Sequence, residues 1–283
     1  MNLRSVRKKT KSVSNVKKIT QAMQLVSAIK MRKAQEAAVE AKPYQELLTK
    51  SIQRFTHKLV PNISQLLEPP QNAQNKKLII VVSSNKGLCG GFNFNLIRSI
   101  VKEEDLKKCD FVVVGKKGAN LISQFGGKIL ADYSSNFPLD EVSAIFTFVL
   151  EKYLNAEYKS VAVYFNRFIS TLKYEPTQEN LLPFKPSSET ADTDFNYIYS
   201  VEPDAESIVD SLLRSYVEEK IRFSMVENEA GEHSARMIAM KNATDNATEV
   251  IYSLISLGNK LRQQKITYEL LDMITAKESV EEV

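Results

Sequence analysis

The residues that come nearest to a chemical signature are Lys86-Gly87-Leu88-Cys89-Gly90-Gly91-Phe92-Asn93. They follow an apolar run and precede a helix-like segment, the place where phosphate-cradling loops sit. Such a loop needs a Lys-Ser/Thr ending for its phosphates and metal; here Phe92-Asn93 stands instead. The turn therefore reads as a tight strand-to-helix connection that uses the backbone freedom of glycine, and no cofactor is expected. His57 and His233 are far apart and lack metal-ligand neighbours, so both read as surface or interface histidines. Cys89 and Cys109 share no ligand spacing with them; they fit a reducing compartment and read as small buried residues. No Ser-His-Asp order or paired-carboxylate arrangement stands out, so no catalytic residue is assigned.

The other conspicuous group is basic. From Arg4 to Lys33 the sequence holds ten Lys or Arg and no acid. That suits a transit peptide, a nucleic-acid arm, or a helix facing acidic surfaces. The apolar positions Val16, Ile19, Met23 and Val26 inside the run favour the third, because a cleaved peptide or a flexible arm needs no packed stripe. Charge is uneven along the whole chain of 283 residues: net +11 over 1–58, zero over 59–200 and −7 over 201–283. Apolar residues at 43% and charged residues at 25% are the balance of a globular protein. No run approaches 18 apolar residues, which predicts no membrane span, and the start MNLRSVRKKT lacks an apolar signal core.

The elements that must carry these groups are legible from their periods. The 3–4 steps of Val16, Ile19, Met23 and Val26, and again of Leu48, Ile52, Phe55 and Leu59, predict a coiled-coil helix over 1–59, kinked or interrupted at Pro43. Residues 60–77, with Pro61 and Pro69-Pro70, read as a linker. Over 78–202, short β-branched runs (78–82, 111–114, 161–165) alternate with amphipathic segments near 92–103, 117–125 and 139–154. This predicts a Rossmann-like α/β domain with parallel strands, another short strand at 129–133 and a hairpin return at 171–174. Residues 176–194 read as a polar loop and 195–200 as a last strand. From Pro203 to the end, Ala243, Ala247, Val250, Leu254, Leu257 and Leu261 step by four and three, predicting a second coiled-coil helix over 203–283. Neither long helix can bury its stripe alone. The expected fold is an α/β domain beside a long antiparallel coiled coil, the basic helix against the acidic one.

Three stretches resemble the gamma subunit of the F-type ATP synthase, the central rotor shaft. The first runs from Ile19-Thr20-Gln21-Ala22-Met23 through Ser27-Ala28-Ile29-Lys30-Met31-Arg32-Lys33. The second is the glycine-bearing turn. The third holds Ala235-Arg236-Met237, Ala239-Met240-Lys241, Ala243-Thr244-Asp245-Asn246-Ala247, Asn259-Lys260, Arg262-Gln263 and Ile266-Thr267. Leu261, Gln264 and Tyr268 depart from the family's usual residues. The resemblance implies partners: a ring of three alpha and three beta subunits, an epsilon-type subunit and the membrane ring of c subunits, with no nucleic acid and no small-molecule substrate. It also implies that Arg262, Gln263, Thr267 and Met23 contact beta subunits, with Val16, Ile19, Val26, Val250, Leu254, Leu257 and Leu261 as the seam. The implied function is mechanical coupling of ion-driven rotation to ATP synthesis or hydrolysis, with no catalytic site in this chain, as a peripheral protein on the cytoplasmic side of a bacterial inner membrane. A nucleotide-binding enzyme built on the α/β middle and a nucleic-acid-binding coiled coil are the rival classes.

Overall fold

The computed structural model describes residues 2–58, 64–70, 73–185 and 205–281, with side chains left aside at 53–58, 205–207 and 278–281. The predicted strand at 195–200, the loop beyond 185 and the side chain of His57 lie outside the described residues. Two helices bracket the chain, α1 (Leu3–Lys58) and α5 (Ala205–Glu281). By internal contacts the chain forms two compact units, residues 28–236 and residues 1–27 with 237–283, and both helices pass through both units.

In the unit of residues 28–236, five strands form one sheet: β1 (Lys77–Val82), β2 (Cys109–Val114), β3 (Lys128–Asp132), β4 (Ser160–Ser170) and β5 (Lys173–Leu182). Their order is β3-β2-β1-β4-β5. The first four are parallel; β5 returns antiparallel beside β4. Between them run α2 (Phe92–Glu103), α3 (Lys116–Gln124) and α4 (Val142–Leu154). Alternation along the strands sorts the core into two layers. Leu78, Ile80, Val82, Val112, Val161, Val163 and Phe165 face α4, α5 and the later part of α1, against Ile145, Val149, Val209, Leu213, Val217, Ile221, Leu48 and Ile52. Ile79, Val81, Phe111, Val113, Ala162 and Tyr164 face α2 and α3, against Leu96, Ile97, Ile100 and Ile122. Covering both faces is why these strands read as unbroken apolar runs. Each such side chain contributes about 1.5–3 kcal/mol by leaving water.

Three expectations change here. Pro43 does not interrupt α1; it lies on an exposed face, where the carbonyl it leaves unpaired can meet solvent. Residues 176–182, read as loop, are strand: β5 is an edge strand, half-exposed, so it lacks the apolar run of a central strand and tolerates Pro176. The segment read as a linker contributes to the core, with Leu66 fully buried and its carbonyl accepting from the Phe184 N–H at 2.8 Å. Ser64 in turn donates to Asp210 of α5 at 2.9 Å.

In the unit of residues 1–27 and 237–283, α1 and α5 pair antiparallel. Thr20 Oγ1 and Thr244 Oγ1 are 2.8 Å apart, and Gly258 lies against Val6, where a Cβ would stand 3.6 Å from Cγ1. From one contact to the other each helix advances fourteen residues in opposite directions, two heptads without a slip. Among the described residues no helix is long and apolar enough to cross a membrane.

Candidate functional site

The glycine-bearing turn closes on itself. After β1, Ser84 N–H donates to Asn93 Oδ1 at 3.0 Å, Asn93 Nδ2 donates to Ser84 Oγ at 2.7 Å, and that hydroxyl donates to the Lys86 carbonyl at 2.7 Å. Leu88 and Gly90 take positive φ, 62° and 60°, which turns the chain sharply into α2. The neighbouring α3 N-terminus is also occupied from within: Lys116 N–H bonds Asn85 Oδ1 at 3.1 Å, Lys117 N–H the Ser84 carbonyl at 3.0 Å and Gly118 N–H Ser83 Oγ at 2.9 Å. These donors, which an anion would need, are spent on the fold. Cys89 is buried beside Ser84, and burial pushes its thiol above the usual range, away from a reactive thiolate.

The turn instead docks on α5. Arg236, almost fully buried, donates Nε to the Gly87 carbonyl at 3.2 Å and Nη2 to the Lys86 carbonyl at 3.2 Å. Glu232, one helical turn earlier, receives Nη2 at 2.6 Å and balances the charge. Nη1 donates to His233 Nδ1 at 3.1 Å. A guanidinium has no acceptor, so Nδ1 is the accepting atom of this contact. His233 is therefore buried and engaged within the chain, where its isolation in the sequence suggested a surface or interface histidine. Gly231 serves the same docking: a Cβ there would come within 3.2 Å of the Phe92 ring, which is fully buried. Two of the three resembling stretches thus meet through a fixed fork of donors.

On the paired helices of the other unit, the seam is shifted by one residue from its predicted frame. Val16, Ile19 and Val26 are 52%, 59% and 54% exposed. The inward face of α1 is Val6, Thr10, Val13, Lys17, Thr20, Gln24 and Ser27, buried or half-buried. On α5, Leu254 and Leu261 face inward, joined by Met240, Thr244, Ala247, Ile251 and Gly258, while Val250 and Leu257 point out. Apolar steps of three and four fit two adjacent frames equally; the small and hydroxylated frame is the one the partner helix selects, because it allows close approach and the Thr20–Thr244 bond. Met23 is half-buried at the edge of this seam.

Arg262 and Gln263 are exposed, and neither side chain makes a hydrogen bond or ion pair among the described residues. Thr267 is exposed too, its hydroxyl turned back to the Gln263 carbonyl at 3.0 Å. Arg262 borders a cleft of about 440 Å³ with Arg7, Lys11, Leu254 and Gly258. Among the described residues no ion pair joins α1 to α5; Lys30 and Lys33 of α1 favour the charged Glu229 carboxylate only from a distance. Several acids of α5 pair with its own cations, as in Arg214–Asp210 at 2.7 Å and Lys265–Glu269 at 3.3 Å. Six of the seven basic side chains before Ser27, all but Lys17, are left facing outward beside the apolar stripe.

A family profile described as ATP synthase matches residues 2–280. The chain is 36% identical over 290 residues to the ATP synthase gamma chain of Methylacidiphilum infernorum, covering 97% of each, and 38% identical over 286 residues to that of Dechloromonas aromatica, covering 98% of this chain and 99% of the relative. Among solved structures it resembles a chain of the Euglena gracilis mitochondrial ATP synthase with F1 and c-ring, TM-score 0.67 at 18% identity over 98% of this chain and 94% of that one. It also resembles a central-stalk and c-ring chain from Tetrahymena thermophila, TM-score 0.58 at 21% identity over 80% and 99%. The chain belongs to the ATP synthase family, in which its curated relatives are gamma chains.

Proposed function

We propose that this chain is the central stalk of an F-type ATP synthase, coupling ion-driven rotation of a membrane c ring to ATP synthesis or hydrolysis in a surrounding ring of alpha and beta subunits, without a catalytic site of its own. The observation that carries the reading is the outward-facing row Val16, Ile19 and Val26 on a helix whose inward face is already filled by α5. A row of large apolar side chains flanked by unpaired cations calls for a sheath of other chains. An asymmetric pair of helices presents a different face to each of three enclosing sites and biases each toward a different conformation by differential contact free energy. Turning the pair cycles the biases.

Arg262, Gln263, Thr267 and Met23 are the proposed beta-subunit contacts. Arg262 offers a carboxylate its planar fork, and Gln263 adds an oriented amide. The helices of 1–59 and 203–283 serve as the shaft, with 78–202 as the α/β body joined through 60–77, where an epsilon-type subunit and the c ring attach. The site of action is the cytoplasmic face of a bacterial inner membrane, as a peripheral subunit. Affinity purification of the tagged chain from membranes tests the whole reading: recovery with a nucleotide-binding ring and c subunits is expected, and recovery of the chain alone overturns it.

A further inference from the structure

The far end of the β4–β5 hairpin is fastened to α5 by polar contacts. Ser234 Oγ donates to the Thr171 carbonyl at 2.6 Å, and Asn228 Oδ1 accepts the Asn166 N–H at 3.2 Å. Beside the Asn166–Asn228 contact lies a cluster of four charges. Glu179 of β5 pairs closely with Arg167 of β4 and, at 3.0 Å, with Lys220 of α5. Both cations are thus engaged by one acid. Glu227 of α5 is the odd carboxylate: its side chain is 15% exposed and its nearest cationic atom, Arg167 Nε, is 3.7 Å away, beyond hydrogen-bond reach. Its Oε2 is buried with no hydrogen-bond partner among the described residues. A carboxylate oxygen in that position is costly; a carboxylic acid is much less so.

We propose that Glu227 takes up and releases a proton in the folded protein, and that this proton latches the distal β4–β5 hairpin onto α5. The charged groups that face Glu227 are Arg167, Glu179, Lys220 and, from α1, Lys42. Burial outweighs the pull of Arg167, with Glu179 opposing ionisation further, and the carboxyl is pushed up to about 7. The direction of the switch follows from linkage. If the hairpin lifts, water reaches Glu227 and its affinity for a proton returns toward the ordinary value. The seated hairpin is therefore favoured when Glu227 is protonated, and lifting becomes easier as the pH rises through neutrality. The hairpin end carries Ile169 and Leu172 on its surface, so the proton controls how firmly that apolar tip is presented.

The test is amide hydrogen exchange of residues 166–174 in the full chain between pH 6 and pH 8, corrected for intrinsic rates. It is paired with a ¹³C titration of the Glu227 carboxyl, assigned by its loss in Glu227→Gln. Protection should fall severalfold, up to about tenfold, across that range in the native chain and stay flat in Glu227→Gln, which mimics the protonated acid. A Glu227 carboxyl that titrates near its ordinary 4.5, or an equal loss of protection in Glu227→Gln, overturns the proposal.

Discussion

Thr20 and Thr244 face each other across α1 and α5 with their hydroxyl oxygens 2.8 Å apart, while each also reaches a carbonyl of its own helix, Lys17 at 3.0 Å and Met240 at 2.8 Å. A hydroxyl pair in a seam behaves non-additively. Either single substitution loses the cross-helix bond but leaves the surviving hydroxyl its own helix carbonyl, and the double substitution loses that same bond only once. Thr20→Val or Thr244→Val alone should lower stability by about 1 kcal/mol, and the double substitution by less than the sum. Urea denaturation of the four proteins measures the coupling; strict additivity would remove this bond from the account of the register.

Two glycines of the same helix should respond to alanine with opposite signs. At Gly258 the new methyl meets only Val6 at 3.6 Å, ordinary contact, so helix propensity decides and Gly258→Ala should stabilise by about 0.5–1 kcal/mol. At Gly231 it would press on the immobile Phe92 ring at 3.2 Å, so Gly231→Ala should destabilise by about 1–3 kcal/mol despite the same propensity gain. Thermal melts of both variants decide it, and a stabilised Gly231→Ala would show that the docking of the glycine-bearing turn is loose.

Glu227 sets a slope of stability against pH. Its folded value of about 7 lies above the ordinary 4.5, so between those values the folded chain holds a proton that the unfolded chain releases. The contribution is complete below 4.5, is lost as the pH rises toward 7, and is constant above. The loss is on the order of 3 kcal/mol. Guanidinium denaturation at pH 5 and pH 8 should show this difference diminished in Glu227→Gln. An unchanged slope would mean another group is responsible.

Arg262 and Gln263 are exposed, and neither side chain has a hydrogen-bond or ion-pair partner among the described residues. Arg262→Ala with Gln263→Ala should leave unfolding within about 0.5 kcal/mol of the parent. Ion-driven ATP synthesis in vesicles reconstituted with the variant should drop severalfold. Normal synthesis would refute their role as coupling contacts, and a large loss of stability would mean that they serve the fold instead.

Legibility in the sequence depended on whether an element's partner leaves a local imprint. The central strands did, because being covered on both faces demands an unbroken apolar run, as in Leu78–Val82 and Phe111–Val114. The edge strand β5 did not, since one flank is open and its residues from Lys173 to Asn180 stay polar enough to resemble a loop. His233 gave no local sign of burial; its partner Arg236 matters only because the turn at Gly87, nearly 150 positions earlier, comes back to it.

The periods of three, four and two along this chain determined by themselves that two long helices flank an alternating α/β layer, because those periods are properties of the backbone and need no partner to be read. Tertiary structure alone decided which frame of α1 faces inward and which cations go unpaired. A row such as Val16-Ile19-Val26 and its neighbour Lys17-Thr20-Ser27 are equally regular along one helix. Only the surface of the second helix, with Thr244 in place to share a hydrogen bond and Val6 seated against Gly258, makes one of them the cheaper to bury.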